Sequence, residues 1–187
     1  GSYKELRMKA YDLNGYGTDN GPNSVLLSGR KAGTTIGVNS TAEGDYTAAS
    51  GDTSHAEGHY TTASSYTSHA EGDGTTASSY ASHAEGHYTA ASGYTSHAEG
   101  NGTTASSYAS HAEGEYTQAN TYASHAQGRY NKALAGGPSA YSATADAMVI
   151  GNGTNATDGA SNCFRITFDG NVYGLSSYHS SGADYSE

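Results

Sequence analysis

The sequence predicts an all-β chain wound as a parallel solenoid of 14-residue coils, and three observations carry that prediction. The pentapeptide Ser-His-Ala-Glu-Gly starts at Ser54, Ser68, Ser82, Ser96 and Ser110 and returns at Ser124 with Gln127 for Glu, always 14 residues on. A weaker echo at half the period, Ala49-Ser50-Gly51, Ala63-Ser64-Ser65, Ala77-Ser78-Ser79 and Ala91-Ser92-Gly93, follows the preceding Ala-Glu-Gly by seven residues. Of the 15 Leu, Ile, Val and Phe residues in the chain, none lies between Asn39 and Ala133, so a conventional core is excluded there. A short fixed period means that stacked repeats bury together what no single repeat can bury alone. Fourteen residues are too few for two helices and a loop, and the recurrent Gly would break a helix. They suit two short strands and two tight turns.

Taken in order, residues 1–24 read as a linker or the end of an upstream fibre segment. They hold a helix-compatible piece from Tyr3 to Leu13 and then a Gly/Asn-rich loop to Asn23. Residues 25–135 form the repeat region, opened by a degenerate copy at Ser40-Thr41-Ala42-Glu43-Gly44. With each coil advancing by one strand spacing of roughly 4.8 Å, seven copies make a rod about 30 Å long. Residues 136–187 form a capping region. The repeat decays through Gly136-Gly137-Pro138, and apolar residues return at Met148, Val149 and Ile150, then at Phe164, Ile166, Phe168 and Val172, which predicts a small core shared between subunits. Ser161 to Tyr173 reads as a β-hairpin around the Asp169-Gly170 turn dipeptide.

Alternation along a strand assigns the faces. Ser54 and Ala56 point one way and His55 and Glu57 the other; Thr61 and Ala63 oppose Thr62 and Ser64. The Ser/Ala and Thr/Ala sets are uniformly small, as the inside of a flat coil requires. Each buried hydroxyl needs a hydrogen-bond partner, and the expected one is its copy in the next coil. Such a core buries little area at about 25 cal/mol per Å², so self-association is expected.

A net charge of −10 with only 8 Lys and Arg argues against nucleic acid as a partner. The sequence has no apolar run of about 18 residues and no basic-then-apolar start, so neither membrane insertion nor a signal peptide is expected. A lone Cys163 excludes an intrachain disulfide framework.

The pattern Ser-x-Ala-x-Gly on a 14-residue period, with an Ala-x-Gly echo, resembles the head repeat of trimeric autotransporter adhesins of the YadA type over roughly residues 25–151. That resemblance implies a left-handed parallel β-roll assembled as a homotrimer. The family's Ser-Val-Ala-Ile-Gly motif is matched here at Ser, Ala and Gly, while His and Glu stand at its two apolar positions. Only the flanks, Thr35-Ile36-Gly37 and Val149-Ile150-Gly151, keep apolar versions. The collagen-binding activity of some members is therefore not carried over. The wording SHAEG and the C-terminal stretch are more similar to phage and prophage tail-fibre or appendage proteins. In those proteins Gly-Ala-Asp-Tyr-Ala-Glu opens a self-cleaving intramolecular-chaperone domain. Here Gly182-Ala-Asp-Tyr-Ser-Glu187 matches with Ser186 for Ala, which implies an autocleavage boundary near the end of this sequence.

Ser, His and Glu in one pentapeptide invite a catalytic-triad reading. Ser54 and His55 are adjacent in a strand and face opposite ways, so no nucleophile and base meet, and no enzyme activity or cofactor is expected. A metal reading is better motivated: His55, Glu57, His69, Glu71, His83, Glu85, His97, Glu99, His111 and Glu113 would share one face at coil spacing. The sequence favours a structural ladder over bound metal, with His55, His69, His83, His97, His111 and His125 hydrogen-bonding or protonating to relieve the stacked carboxylates. Histidines flanked by carboxylates are then expected to have raised pKa values.

Tyr66, Tyr80, Tyr94, Tyr108 and Tyr122 form a second, surface ladder at one turn. Tyr60, Tyr88 and Tyr116 alternate with Gly74 and Gly102 at the other. Ring-on-ring packing or a subunit seam is the favoured reading, ahead of a sugar-binding strip. The outward Thr62-Ser64, Thr76-Ser78 and Thr104-Ser106 are similar to the threonine arrays of ice-binding solenoids, but Ala90, Gln118 and Asn120 interrupt the array.

The expected function is a rod segment, and receptor-contacting surface, of a phage or prophage tail fibre or appendage located on the virion. Its partners are copies of itself and a host-surface glycan or protein. The alternative is the head of a bacterial trimeric adhesin at the cell surface, and ice binding is a remote third.

Overall fold

The computed structural model describes residues 21, 24–27, 29, 31–132, 134, 136–137, 139–155 and 159–174. The helix-compatible piece Tyr3 to Leu13, the loop to Asn23 apart from Gly21, Pro138 and the Gly182–Glu187 end lie outside them. The described residues contain no helix.

The chain winds into a parallel β-solenoid of about seven turns with 14-residue coils. Each coil contributes one long strand to a broad sheet: Thr41–Asp45, His55–His59, His69–Asp73, His83–His87, His97–Asn101, His111–Glu115 and His125–Arg129. Val25–Leu26 precedes this run and Asp146–Asn152 follows it, both parallel to their neighbours. Asn162–Thr167 then pairs antiparallel with Asp146–Asn152, and Val172–Gly174 antiparallel with Asn162–Thr167. The opposite wall is a six-stranded sheet of two-residue strands, Ala48–Ala49, Thr62–Ala63, Thr76–Ala77, Ala90–Ala91, Thr104–Ala105 and Gln118–Ala119.

Register is in phase, His on His, Ala on Ala, Glu on Glu and Gly on Gly from coil to coil. The turns pair as well: Thr67 N–H donates to Asp52 O, Ala81 N–H to Tyr66 O and Tyr88 N–H to Asp73 O, at 2.9–3.0 Å. Order without large side chains thus comes from a backbone paired nearly all the way round each coil.

The interior is what alternation assigns. Ala56, Ala70, Ala84, Ala98 and Ala112 on the long wall and Ala63, Ala77, Ala91, Ala105 and Ala119 on the short wall are fully buried, with the Ser54 and Thr61 columns between them. Larger aliphatics close the ends, Ile36 at one and Leu134 with Val149 at the other. The remaining C-terminal apolar residues do not form an enclosed core in this chain. Met148, Ile150, Phe164 and Ile166 are half-buried, and Val172 is exposed.

The expectation that buried hydroxyls bond along the axis needs correction. Ser68 Oγ donates to Ser65 O at 2.7 Å, Ser82 Oγ to Ser79 O at 2.7 Å and Ser110 Oγ to Ser107 O at 2.8 Å, all within one coil. The turn carbonyl three residues back is closer than the next coil's hydroxyl, so serine fastens its own turn. Near the start a serine also bridges coils, where Ser40 Oγ donates to Gly51 O at 2.6 Å and accepts from Ser54 N–H at 3.1 Å.

Candidate functional site

The outward face of the long sheet carries two parallel rows set by strand alternation. In the first, the rings of His55, His69, His83, His97, His111 and His125 stack with centroids 4.7–4.8 Å apart and planes within 14°. In the second, two residues on, stand Glu57, Glu71, Glu85, Glu99 and Glu113, followed by Gln127. A groove of about 710 Å³ runs along the Glu row over the column of glycines beside it and ends at Ile150. In that column Gly86 has φ +105°, and a Cβ there would lie 2.2 Å from Gly100 O, so the floor admits no side chain. The rows continue into the apolar end by register: His125 pairs with Met148, which pairs with Ile166 and then Val172, while Gln127 pairs with Ile150 and then Phe164.

The two rows approach one another without closing. Imidazole Nε2 lies 3.7 Å from its own coil's carboxylate at His55–Glu57, 3.8 Å at His69–Glu71 and 4.0 Å at His83–Glu85. From His97 onward each ring leans to the preceding coil instead, at 3.9 Å for His97–Glu85, 3.5 Å for His111–Glu99 and 3.3 Å for His125–Glu113. The Nε2 atoms of His69, His83, His97 and His111 are buried with no hydrogen-bond partner. The sequence reading had the imidazoles hydrogen-bonding to the carboxylates or taking protons, and the structure supplies such a bond at His125.

The expectation of raised histidine pKa values is overturned at the middle of the row. Burial, then the neighbouring His55, lowers His69 below its usual value despite Glu71 and Glu57. Burial followed by His69 and His97 does the same to His83, and burial followed by His111 to His97. Stacked rings shield one another from water and would repel if both were charged, and these effects outweigh carboxylates standing too far off to bond. The proton settles on the Glu row instead. Hydrogen bonding with Glu71 and then Glu99 raises Glu85 to about 7, and the same bonding to Glu85 lowers Glu71 and Glu99.

At one turn, Tyr66, Tyr80, Tyr94, Tyr108 and Tyr122 stack at 4.7–5.6 Å. At the other turn Tyr60 stacks on Tyr46 and Tyr130 on Tyr116 at 4.8 Å, while the Tyr88 and Tyr116 rings lie over Gly74 and Gly102. In the long ladder each interior ring covers its neighbour's face, and Tyr66, Tyr80, Tyr94 and Tyr108 stay exposed. Ser54 Oγ donates inward to Gly51 O at 2.7 Å, on the opposite face from His55.

A third row escaped the sequence reading. Asp45, His59, Asp73, His87, Asn101, Glu115 and Arg129 occupy one position at the end of successive long strands. His59 Nδ1 is 2.9 Å from Asp73 and His59 Nε2 4.0 Å from Asp45. His87 contacts Asp73 at 3.8 Å and Asn101 at 3.1 Å, and Arg129 Nε meets Glu115 at 2.7 Å. The readable signal was a 28-residue superperiod, His-Tyr, Asp-Gly, His-Tyr, Asn-Gly, in the dipeptides after the four Ala-Glu-Gly copies from Ala56 to Gly100.

No family model matches the chain, and no similar curated protein or solved structure emerges from comparison with either set.

Proposed function

We propose that this chain is a non-enzymatic rod segment of a homotrimeric phage or prophage tail fibre or appendage. It acts as a spacer and offers its outer surface to a host-surface glycan or protein. The observation that carries the reading is the solenoid itself, a constant-pitch stack whose backbone register repeats over about seven turns, the form suited to transmitting length and stiffness. The trimer and the left-handed winding come with the resemblance to YadA-type heads, and the capping role of the C-terminal hairpin with the return of apolar residues from Met148 onward.

Trimer formation is also supported by the long sheet's outward face, whose rows run from His and Glu into the incompletely buried Met148, Ile150, Phe164, Ile166 and Val172. Packing three such faces around an axis buries those residues and leaves the tyrosine turns and short sheet outside, where a receptor would touch. Sedimentation equilibrium tests the assembly, with three times the 19.1 kDa chain mass expected. A monomer at micromolar concentration sinks the reading. Competition of the purified rod against phage adsorption tests the receptor role, and blockade by Tyr-face variants equal to that of the parent removes that face from it. The bacterial-adhesin reading differs in the architecture downstream, a coiled-coil stalk and membrane barrel in place of a self-cleaving domain.

A further inference from the structure

We propose that the His and Glu rows bind divalent transition-metal ions of the zinc class, one ion held by His83, Glu85 and His97 and another by His111, Glu113 and His125. In each triad one ligand atom per residue lies within 4.8 Å of the other two. Glu85 stands evenly between its partners, with 4.0 Å to His83 and 3.9 Å to His97. Ligands about 2.1 Å from a tetrahedral ion are about 3.4 Å apart, so each His–Glu85 separation closes by about half an ångström and the two imidazole nitrogens, on rings stacked 4.7 Å apart, by about 1 Å. The stacked imidazoles must also tilt toward one another, which torsions of side chains about one-third exposed allow.

The independent pointer to a ligand is the state of the imidazoles. Nε2 of His83, His97 and His111 is buried and lacks a hydrogen-bond partner, a costly arrangement that a metal ion relieves. A structural ladder, with imidazoles hydrogen-bonding to the carboxylates or taking protons, was the competing explanation for these rows, and the 3.5–4.0 Å separations along most of the row do not make those hydrogen bonds. Imidazole with carboxylate selects zinc, cobalt or nickel over magnesium and calcium.

Occupancy follows from spacing. Ions on neighbouring coils would lie about 4.8 Å apart and repel, so alternate coils fill. Glu43–His55–Glu57 and Glu57–His69–Glu71 share Glu57 and together hold one ion. The limit is therefore three ions per chain, one for each 28 residues of repeat.

The test uses the chelator-stripped full chain without a polyhistidine tag, titrated with Zn²⁺ calorimetrically and with Co²⁺ by visible absorption. Saturation near three ions per chain is expected, with a tetrahedral Co²⁺ band and no competition from excess Mg²⁺. The double variant H83Q/H97Q should lose one ion per chain and keep two, with its far-ultraviolet circular dichroism unchanged. E85Q, which alters charge but hardly shape, should weaken one site by about tenfold, and it decides the matter if the double variant does not fold. No binding at millimolar metal, or parental stoichiometry and affinity in E85Q, overturns the proposal. Because ions are counted per chain and sedimentation counts chains, failure here is distinguishable from failure of the trimer reading.

Discussion

At the residue scale, this fold depends on positions where backbone, not side chain, meets the next coil. Gly86 combines φ +105° with a Cβ position 2.2 Å from Gly100 O. G86A should therefore cost about 3 kcal/mol through strain and collision together, read as a lower urea midpoint. The opposite sign is expected one turn earlier. Ala81 is exposed and held at φ 48°, a left-handed conformation that costs a non-glycine residue roughly 1–2 kcal/mol. A81G should stabilise by about 0.5–1 kcal/mol after glycine's larger unfolded-state entropy is subtracted, and a lower melting temperature in that variant refutes the assignment of strain. These left-handed turns were not legible in the sequence. Thr67, Thr95, Ala81 and Ala109 carry none of the Gly or Asn preference that marks such positions, and they are held there by backbone bonds to the adjacent coil. The Ala and Ser columns, by contrast, were fully legible, because a strand's period of two leaves only one way to face a small residue inward.

At the scale of the element, each row behaves as a unit, and its titration has a sign. His69, His83 and His97 have folded pKa values below the unfolded 6.5, so the unfolded chain binds more protons in the window below that pH. Stability supplied by the neutral row is present above pH 6.5 and is lost as pH falls. Glu85 opposes this: raised from 4.5 to about 7, it binds its proton better when folded and gives up that contribution as pH rises through 7. The imidazole contribution is isolated in E85Q, whose melting temperature should rise between about pH 5 and 6.5 in the presence of chelator. A flat profile in that variant contradicts this account. The sequence suggested the reverse sign, because it shows which residues neighbour each histidine but not that ring stacking removes water while the carboxylates stay out of bonding range. The tyrosine ladder permits a simpler measurement. Tyr94 stacks on Tyr80 at 4.7 Å and on Tyr108 at 5.3 Å. Y94A removes both contacts and should cost about 1–2 kcal/mol by calorimetry, given the usual worth of an aromatic pair.

At the scale of the whole molecule, stability should be a sum of coil and interface terms, and the unit of that sum need not be the 14-residue coil that the pentapeptide announces. The third row alternates acid with base: Asp45, His59, Asp73, His87. The tyrosine turn beside it alternates Tyr with Gly from residue 60 to residue 116. Both alternations repeat over 28 residues, so two deletions that look alike in the pentapeptide frame differ physically. Removing residues 59–86 joins Gly58 to His87, sets that histidine between Asp45 and Asn101 and Tyr88 beside Tyr46, and so restores the contacts of His59 with Asp45 and of Tyr60 with Tyr46 while keeping that of His87 with Asn101. Removing residues 73–86 joins Gly72 to His87 and brings His87 against His59 with Asp73 gone. Both rods should fold, shorter by about 9.5 and 4.8 Å respectively, as small-angle scattering would register. If 28 residues are the true repeat, the shorter deletion should lower the melting temperature more per coil removed than the longer one, with the difference widening below pH 6.5 as the apposed histidines charge. Equal loss per coil in both would mean that the exposed third row adds nothing measurable, as isolated surface ion pairs often do not, and that the backbone ladder and the small-residue core hold the rod without it.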